Sequence, residues 1–206
     1  MKTFNIVISG TGGQGLITLI QILAEAALIE GRDVKTSELH GLSQRGGSVE
    51  THVRFGEKVF SPLVAKGSAD LILGLEILEG LRAFPYANSK TIFLVNKFTL
   101  PYLNSPSEKE VIENLKKLIK GQKYIVSASE ICQKELGKEV VSGIYLLSYA
   151  VHKNLIPLKP ESILKAISKV VPEKYLELNK KALKLARAKP KELSSSQASL
   201  APLDKI

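Results

Sequence analysis

Phe4 to Ser9 (FNIVIS) is an apolar run ended by glycines, the pattern of a strand buried on both faces. Gln14 to Glu30 has helical spacing and closes on Gly31, a residue that commonly ends helices. Asp33 to Glu38 predicts a second strand, so the three segments form a β-α-β unit with a parallel sheet and right-handed crossover. Ser48 to Phe55 alternates, with Val49, Thr51, Val53 and Phe55 against Glu50, His52 and Arg54. That predicts a strand with one wet face. Lys58 to Phe60 then extends it as a hairpin across Gly56-Glu57. Ala69 to Leu73 and Thr91 to Val95 read as buried strands, with a short helix from Leu75 to Phe84 between them. A helix over Glu108 to Lys120, a strand over Tyr124 to Ala128 and a helix opening at Ser129 follow. Beyond Lys138 the spacing is helical over Glu139–Asn154, Glu161–Val171 and Glu173–Ala188, punctuated by Pro157, Pro160 and Pro172.

The first helix is more apolar than a helix covering one sheet face requires. Leu16, Ile17, Ile20, Leu23, Ala24, Ala27 and Leu28 line one side, and Leu19, Ile22, Ala26 and Ile29 line another. Thr18, Gln21 and Glu25 leave only a narrow polar stripe. The second apolar stripe calls for a cover, either another helix of this chain or another subunit.

These elements predict an α/β fold: a mainly parallel sheet with helices on both faces and a helical C-terminal region. Residues 1–188 make one domain. Residues 189–206, rich in Ser, Ala and Pro and without periodicity, read as a flexible tail. Length and composition, 206 residues with 44% apolar and 24% charged, suit a single core. The apolar amino-terminal run is broken by glycines before any cleavage site, and Gln21 and Glu25 interrupt the next, so neither a signal peptide nor a membrane span is expected. The expected location is the cytoplasm. One cysteine, Cys132, rules out an intrachain disulfide and a cluster held by this chain alone. Cys132 and His152 read as packing residues; His52 is left open. The net charge of +9 is concentrated in residues 159–191, which hold ten Lys/Arg against three Glu, or +7, leaving +2 elsewhere. Such a region reads first as a solvated helix face or a surface for an acidic partner, and only second as a nucleic-acid contact.

Gly10-Thr11-Gly12-Gly13-Gln14-Gly15 matches G-x-G-x-x-G between a strand and a helix start, where free N–H groups suit an anion. Glu38 opens a second unit, Glu38-Leu39-His40-Gly41-Leu42-Ser43-Gln44-Arg45-Gly46-Gly47-Ser48. Arg45 offers a fork of donors, Gly46-Gly47 can form a nest for a carboxylate or phosphate, and His40 can transfer protons. A nicotinamide enzyme would place an acidic residue where Glu38 stands, so a self-sufficient NAD-dependent oxidoreductase is an alternative. A nucleic-acid-binding protein is a more distant one.

Together, the glycine run, Glu38-x-His40-Gly41 and Gln44-Arg45-Gly46-Gly47-Ser48-Val49, leading into His52-Val53-Arg54, resemble the gamma domain of the 2-oxoacid:ferredoxin oxidoreductases over residues 3–185. Within that family the match is nearest the small subunit of the indolepyruvate enzymes. The resemblance implies a complex with a large (alpha) subunit carrying thiamine diphosphate, magnesium and [4Fe–4S] clusters. That complex decarboxylates an arylpyruvate, passes electrons to ferredoxin and forms an aryl-acetyl-CoA. This chain would hold no cofactor alone, would be inactive alone, and would border the coenzyme A side of a shared cleft. Its Gly10, Gly12, Gly13, Gln14, Gly15, Glu38, Gln44, Gly46 and Gly47 would bind, with His40 and Arg45 as the catalytic candidates.

Overall fold

The computed structural model describes residues 2–41 and 46–188. Its strands are β1 (Phe4–Thr11), β2 (Asp33–His40), β3 (Ser48–Gly56), β4 (Leu71–Gly74), β5 (Ile92–Asn96) and β6 (Lys123–Val126). Its helices are α1 (Leu16–Ile29), α2 (Ile77–Arg82), α3 (Glu108–Leu118), α4 (Ala128–Leu136), α5 (Ser142–His152), α6 (Pro160–Val170) and α7 (Glu173–Ala188). The strands form one sheet in the order β2-β3-β1-β4-β5-β6. β1, β4, β5 and β6 pair in parallel, while β3 is antiparallel to both β1 and β2.

The β-α-β reading is therefore corrected in one respect. β2 runs in the same direction as β1 but does not pair with it, because β3 lies between them. Residues 41–47 are too few for a crossover, which takes a dozen or more, so β2 and β3 can only be antiparallel neighbours. The other strands carry apolar side chains to both faces. Ile6, Ile8, Leu71, Leu73 and Leu94 join the core under α1 and α5–α7, while Val7, Ile72, Phe93 and Val95 join a second core under α2 and α3. Helices thus cover both faces, and the continuous apolar runs in these strands follow.

Two further expectations change. No hairpin forms at Lys58–Phe60, and the second face of β3 is not wet. The chain after β3 folds back beneath that face instead. Val64 N–H donates to His52 Nδ1 at 3.0 Å, and Arg54 donates to the carbonyls of Ser61 at 2.8 Å and Leu63 at 3.1 Å. His52 is 1% exposed, so its side chain fills an interior position rather than facing solvent. The second stripe of α1 is covered within the chain. Leu19, Ile22 and Ala26 are buried where α1 meets α5 and α6. A Cβ built on Gly143 would stand 2.7 Å from Leu19 Cδ1, so only glycine lets α5 come this close. The apolar side chains that α1 leaves exposed are Ile17, Leu28 and Ile29.

Candidate functional site

β1 delivers Thr11 to the edge of the sheet where the parallel strands end, the edge at which open α/β sheets bind ligands. The chain then turns through Gly12–Gly15 into α1. Gly15, the residue before the helix, has φ +80°, and a Cβ there would meet nothing within 4 Å. The requirement at Gly15 is conformational, costing an L-residue about 1–2 kcal/mol. At Gly10 the requirement is space, because a Cβ would lie 2.6 Å from Gln14 Oε1 and 3.1 Å from Leu75 Cβ. Gln14 Oε1 accepts the Thr11 N–H at 2.8 Å, so this side chain braces the turn from within. No side chain caps the first turn of α1 and no acidic residue sits in it, which suits its N–H groups to an anion.

The second motif meets the first directly. In the β1–β3 register Gly10 faces Val49 and Thr11 faces Ser48, and the Gly12 N–H donates to the Gly47 carbonyl at 2.9 Å. Gly46 takes φ +69°. Leu42 to Arg45 lie outside the described residues, and Gln44 and Arg45 with them. Glu38 and His40 are exposed at the end of β2, opposite Thr51 and Val49 in register. They therefore share the sheet face covered by α1. His40 Nδ1 is 3.2 Å from the Gly41 carbonyl.

A network that the motifs do not announce fixes the foot of the second loop. The Ser48 hydroxyl donates to Glu79 Oε2, and Arg82 donates to Glu79 Oε1 at 2.6 Å and to the Tyr102 hydroxyl at 3.1 Å. The Glu79 N–H donates to Glu76 Oε2 at 2.7 Å, so Glu76 caps α2. Both glutamates are buried, at 3% and 5% exposure. Burial pushes the Glu76 carboxyl up from its ordinary pKa, offset in part by nearby backbone N–H groups. The network borders a cavity of about 260 Å³ between Thr11, Gly46 and Ser48 on one side and Leu100 to Tyr102 on the other. Gln14 and Gly15 border a different cavity of about 310 Å³, lined mainly by apolar groups of α1, α5 and α7. The two loops thus touch, yet each opens onto its own cavity. The sequence signal for the network was slight: two glutamates inside the apolar stretch Leu73–Leu81, with Arg82 three residues after the second.

His52, left open on sequence, belongs to a separate knot. Its Nε2 lies 3.2 Å from Glu50 Oε1, and the Tyr86 hydroxyl donates to the same oxygen at 2.6 Å. The His52 bond, with Tyr86 assisting, holds the Glu50 carboxyl below its usual range, and Tyr86 is pushed up to about 12. Cys132 is fully buried, which pushes its thiol up to about 12, in keeping with a packing role. Among the described residues, no three His, Cys, Asp or Glu side chains gather as a metal site, and no helix is long and apolar enough to cross a membrane.

The family model for pyruvate ferredoxin/flavodoxin oxidoreductase matches residues 5–189. The chain is 34% identical to indolepyruvate oxidoreductase subunit IorB of Thermococcus kodakarensis, over 94% of this chain and 98% of that one. It is 37% identical to the subunit of the same name from Archaeoglobus fulgidus, over 88% and 92%. The solved gamma subunit of a keto/oxoacid ferredoxin oxidoreductase from Geobacter sulfurreducens is 25% identical, with a TM-score of 0.67 over 89% of this chain and 95% of that one. With the glycine turn and the loop ahead of β3 joined on this scaffold, the chain belongs to the pyruvate ferredoxin/flavodoxin oxidoreductase family.

Proposed function

We propose that this chain is the cluster-free small subunit of an indolepyruvate-type 2-oxoacid:ferredoxin oxidoreductase and completes its active site on the coenzyme A side. The observation that carries the reading is the Gly12 N–H···O=C Gly47 bond, which makes one rim of two motifs distant in sequence. That rim combines the uncapped start of α1 with the loop carrying Arg45. Both elements suit a phosphate or a carboxylate, as a CoA-dependent reaction on a 2-oxoacid requires. The large subunit supplies thiamine diphosphate, magnesium and the iron–sulfur clusters in this reading. The buried Cys132 and, among the described residues, the scattered acidic groups do not fit those groups. The complex would work in the cytoplasm and hand its electrons to ferredoxin.

The test is Arg45→Ala in the complex reconstituted with the large subunit. A charge-assisted hydrogen bond contributes roughly 1.5–3 kcal/mol, so turnover should fall at least about tenfold while assembly is retained. Wild-type turnover would remove Arg45 from the site, and lost assembly would move it to the subunit interface.

A further inference from the structure

β2 is an edge of the sheet, and its outer side pairs with no strand among the described residues. An edge strand presents a row of unpaired N–H and C=O groups, which chains blunt by shortness, proline, a bulge or lysine. β2 runs for eight residues, holds no proline, and pairs with β3 one residue to one throughout, so no bulge interrupts it. Lys35 is its one blunting residue. Thr36, Glu38, Leu39 and His40 are exposed along it.

Beside this edge, α1 leaves an apolar stripe uncovered. At about 100° per residue, Ile17, Ala24 and Leu28, with Gln21 among them, lie within about 40° of the direction opposite Leu19. Leu19 faces Gly143 of α5, and α5 lies over β5, toward the far end of the sheet. α6 takes another side of α1, where Lys169 pairs with Glu25 at 2.7 Å. The stripe therefore points outward past β2, and Ile17 and Leu28 are each 54% exposed on it. The open backbone edge and the apolar stripe make one surface.

A second copy of this chain fits that surface. A two-fold axis perpendicular to the sheet pairs β2 antiparallel with its own copy, in a register centred on Thr36 or on Ser37. In neither register does Asp33, Lys35 or Glu38 stand opposite a like charge. The spacing agrees as well. α1 lies over β2 and β3, so joining the edges sets the two α1 axes about two strand spacings, roughly 10 Å, apart. Helices pack at about 8–10 Å. The two helices run antiparallel, which sets Ile17 of each copy beside Leu28 of the other, with Gln21 and Ala24 between them. We infer that the chain forms a two-fold dimer through the outer edge of β2 and the Ile17–Leu28 stripe of α1, joining two sheets into one. In an assembled complex this chain is then present in pairs.

The test uses the chain's lack of accessible thiols. Cys132 is fully buried, so a cysteine placed on the edge reacts alone. Thr36→Cys and Ser37→Cys are oxidised in the full-length chain, alone and combined with the large subunit, with the exposed Lys134→Cys on α4 as control. The residue on the axis meets its copy at a Cα separation of about 4.5–5.5 Å, within the range of about 4.4–6.8 Å that a disulfide spans. One of the two edge variants should cross-link into a covalent dimer in both samples, while Lys134→Cys does not. In sedimentation velocity, wild type should pass from monomer to dimer as concentration rises. Ile17→Glu should weaken that association at least about a hundredfold, since its carboxylate enters the interface once from each copy. Its melting temperature should equal that of wild type diluted to monomer. No cross-link at either edge position, wild type monomeric throughout, or Ile17→Glu dimerising as wild type does, overturns the inference. So does a cross-link lost on adding the large subunit, which would assign the edge to that subunit. The isolated chain gives both readings, so they stand whether or not the proposed function holds.

Discussion

Leu19 and Glu79 are both buried, at 2% and 5% exposure, but they are held by different forces. Leu19 sits between α1 and α5, surrounded by apolar neighbours and pressed against Gly143. Glu79 sits at the sheet edge, each oxygen matched to a donor from a different element, Ser48 of β3 and Arg82 of its own helix. Apolar burial tolerates small shifts and is indifferent to direction, whereas a buried carboxylate demands its donors at fixed positions. The first region therefore sets stability, and the second sets the geometry of the rim where Ser48, Gly47 and Gly12 meet.

The sharpest way to break this comparison is to charge the apolar side. Leu19→Glu or Ile22→Glu should unfold or gravely destabilise the chain, because an unpaired buried carboxylate costs about 3–5 kcal/mol. Ile17→Glu, at a position 54% exposed, should leave the melting temperature nearly unchanged. A stable Leu19→Glu monomer in thermal denaturation would mean that α1 is not locked against α5 and α6.

Removing Glu79 should matter less to stability and more to function. Glu79→Ala strands the Ser48 hydroxyl and releases Arg82, which is half exposed and recovers water, so a loss of about 1–3 kcal/mol is expected. In the assembled complex its turnover should fall further than that of a mutant destabilised equally in the core, such as Ile22→Val. Equal turnover at matched stability would show that the network only supports the fold.

Acid sensitivity should be smaller still. The His52 bond depresses the Glu50 pKa, so the group adds stability above the ordinary carboxylate range, and that stability is lost as pH falls through the folded-state value. Glu50→Gln should flatten the acid side of the melting-temperature profile below about pH 5. Parallel profiles would show that Glu50 titrates alike in the folded and unfolded chains.

The same contrast explains what the sequence revealed. Continuous runs such as Phe4–Ser9 and the helical spacing of Glu173–Ala188 mark elements whose burial is apolar, and those elements stand where periodicity placed them. Alternation in β3 was legible, but not that its Glu50, His52 and Arg54 face would be covered by the following loop. Polar side chains reveal burial only through partners, and Val64, Ser61 and Leu63 contribute backbone atoms that carry no side-chain signal. Strand order was hidden because pairing of β3 between β1 and β2 follows from the length of the 41–47 connection rather than from hydrophobicity. At the site, the glycine turn and the loop before β3 were visible as motifs. Glu76, Glu79 and Arg82 were not, since glutamates at the start of a short helix also suit ordinary caps.

The central claim is that this chain contributes a rim to a reaction whose redox groups lie in a larger subunit. It is tested by assaying oxidation of indolepyruvate, with coenzyme A and an artificial or ferredoxin acceptor, using this chain alone, the large subunit alone and the two combined. The account predicts coenzyme A-dependent turnover only in the combined sample, with iron and sulfide confined to the large subunit. Turnover by this chain alone, or undiminished coenzyme A-dependent turnover by the large subunit without it, would contradict the account.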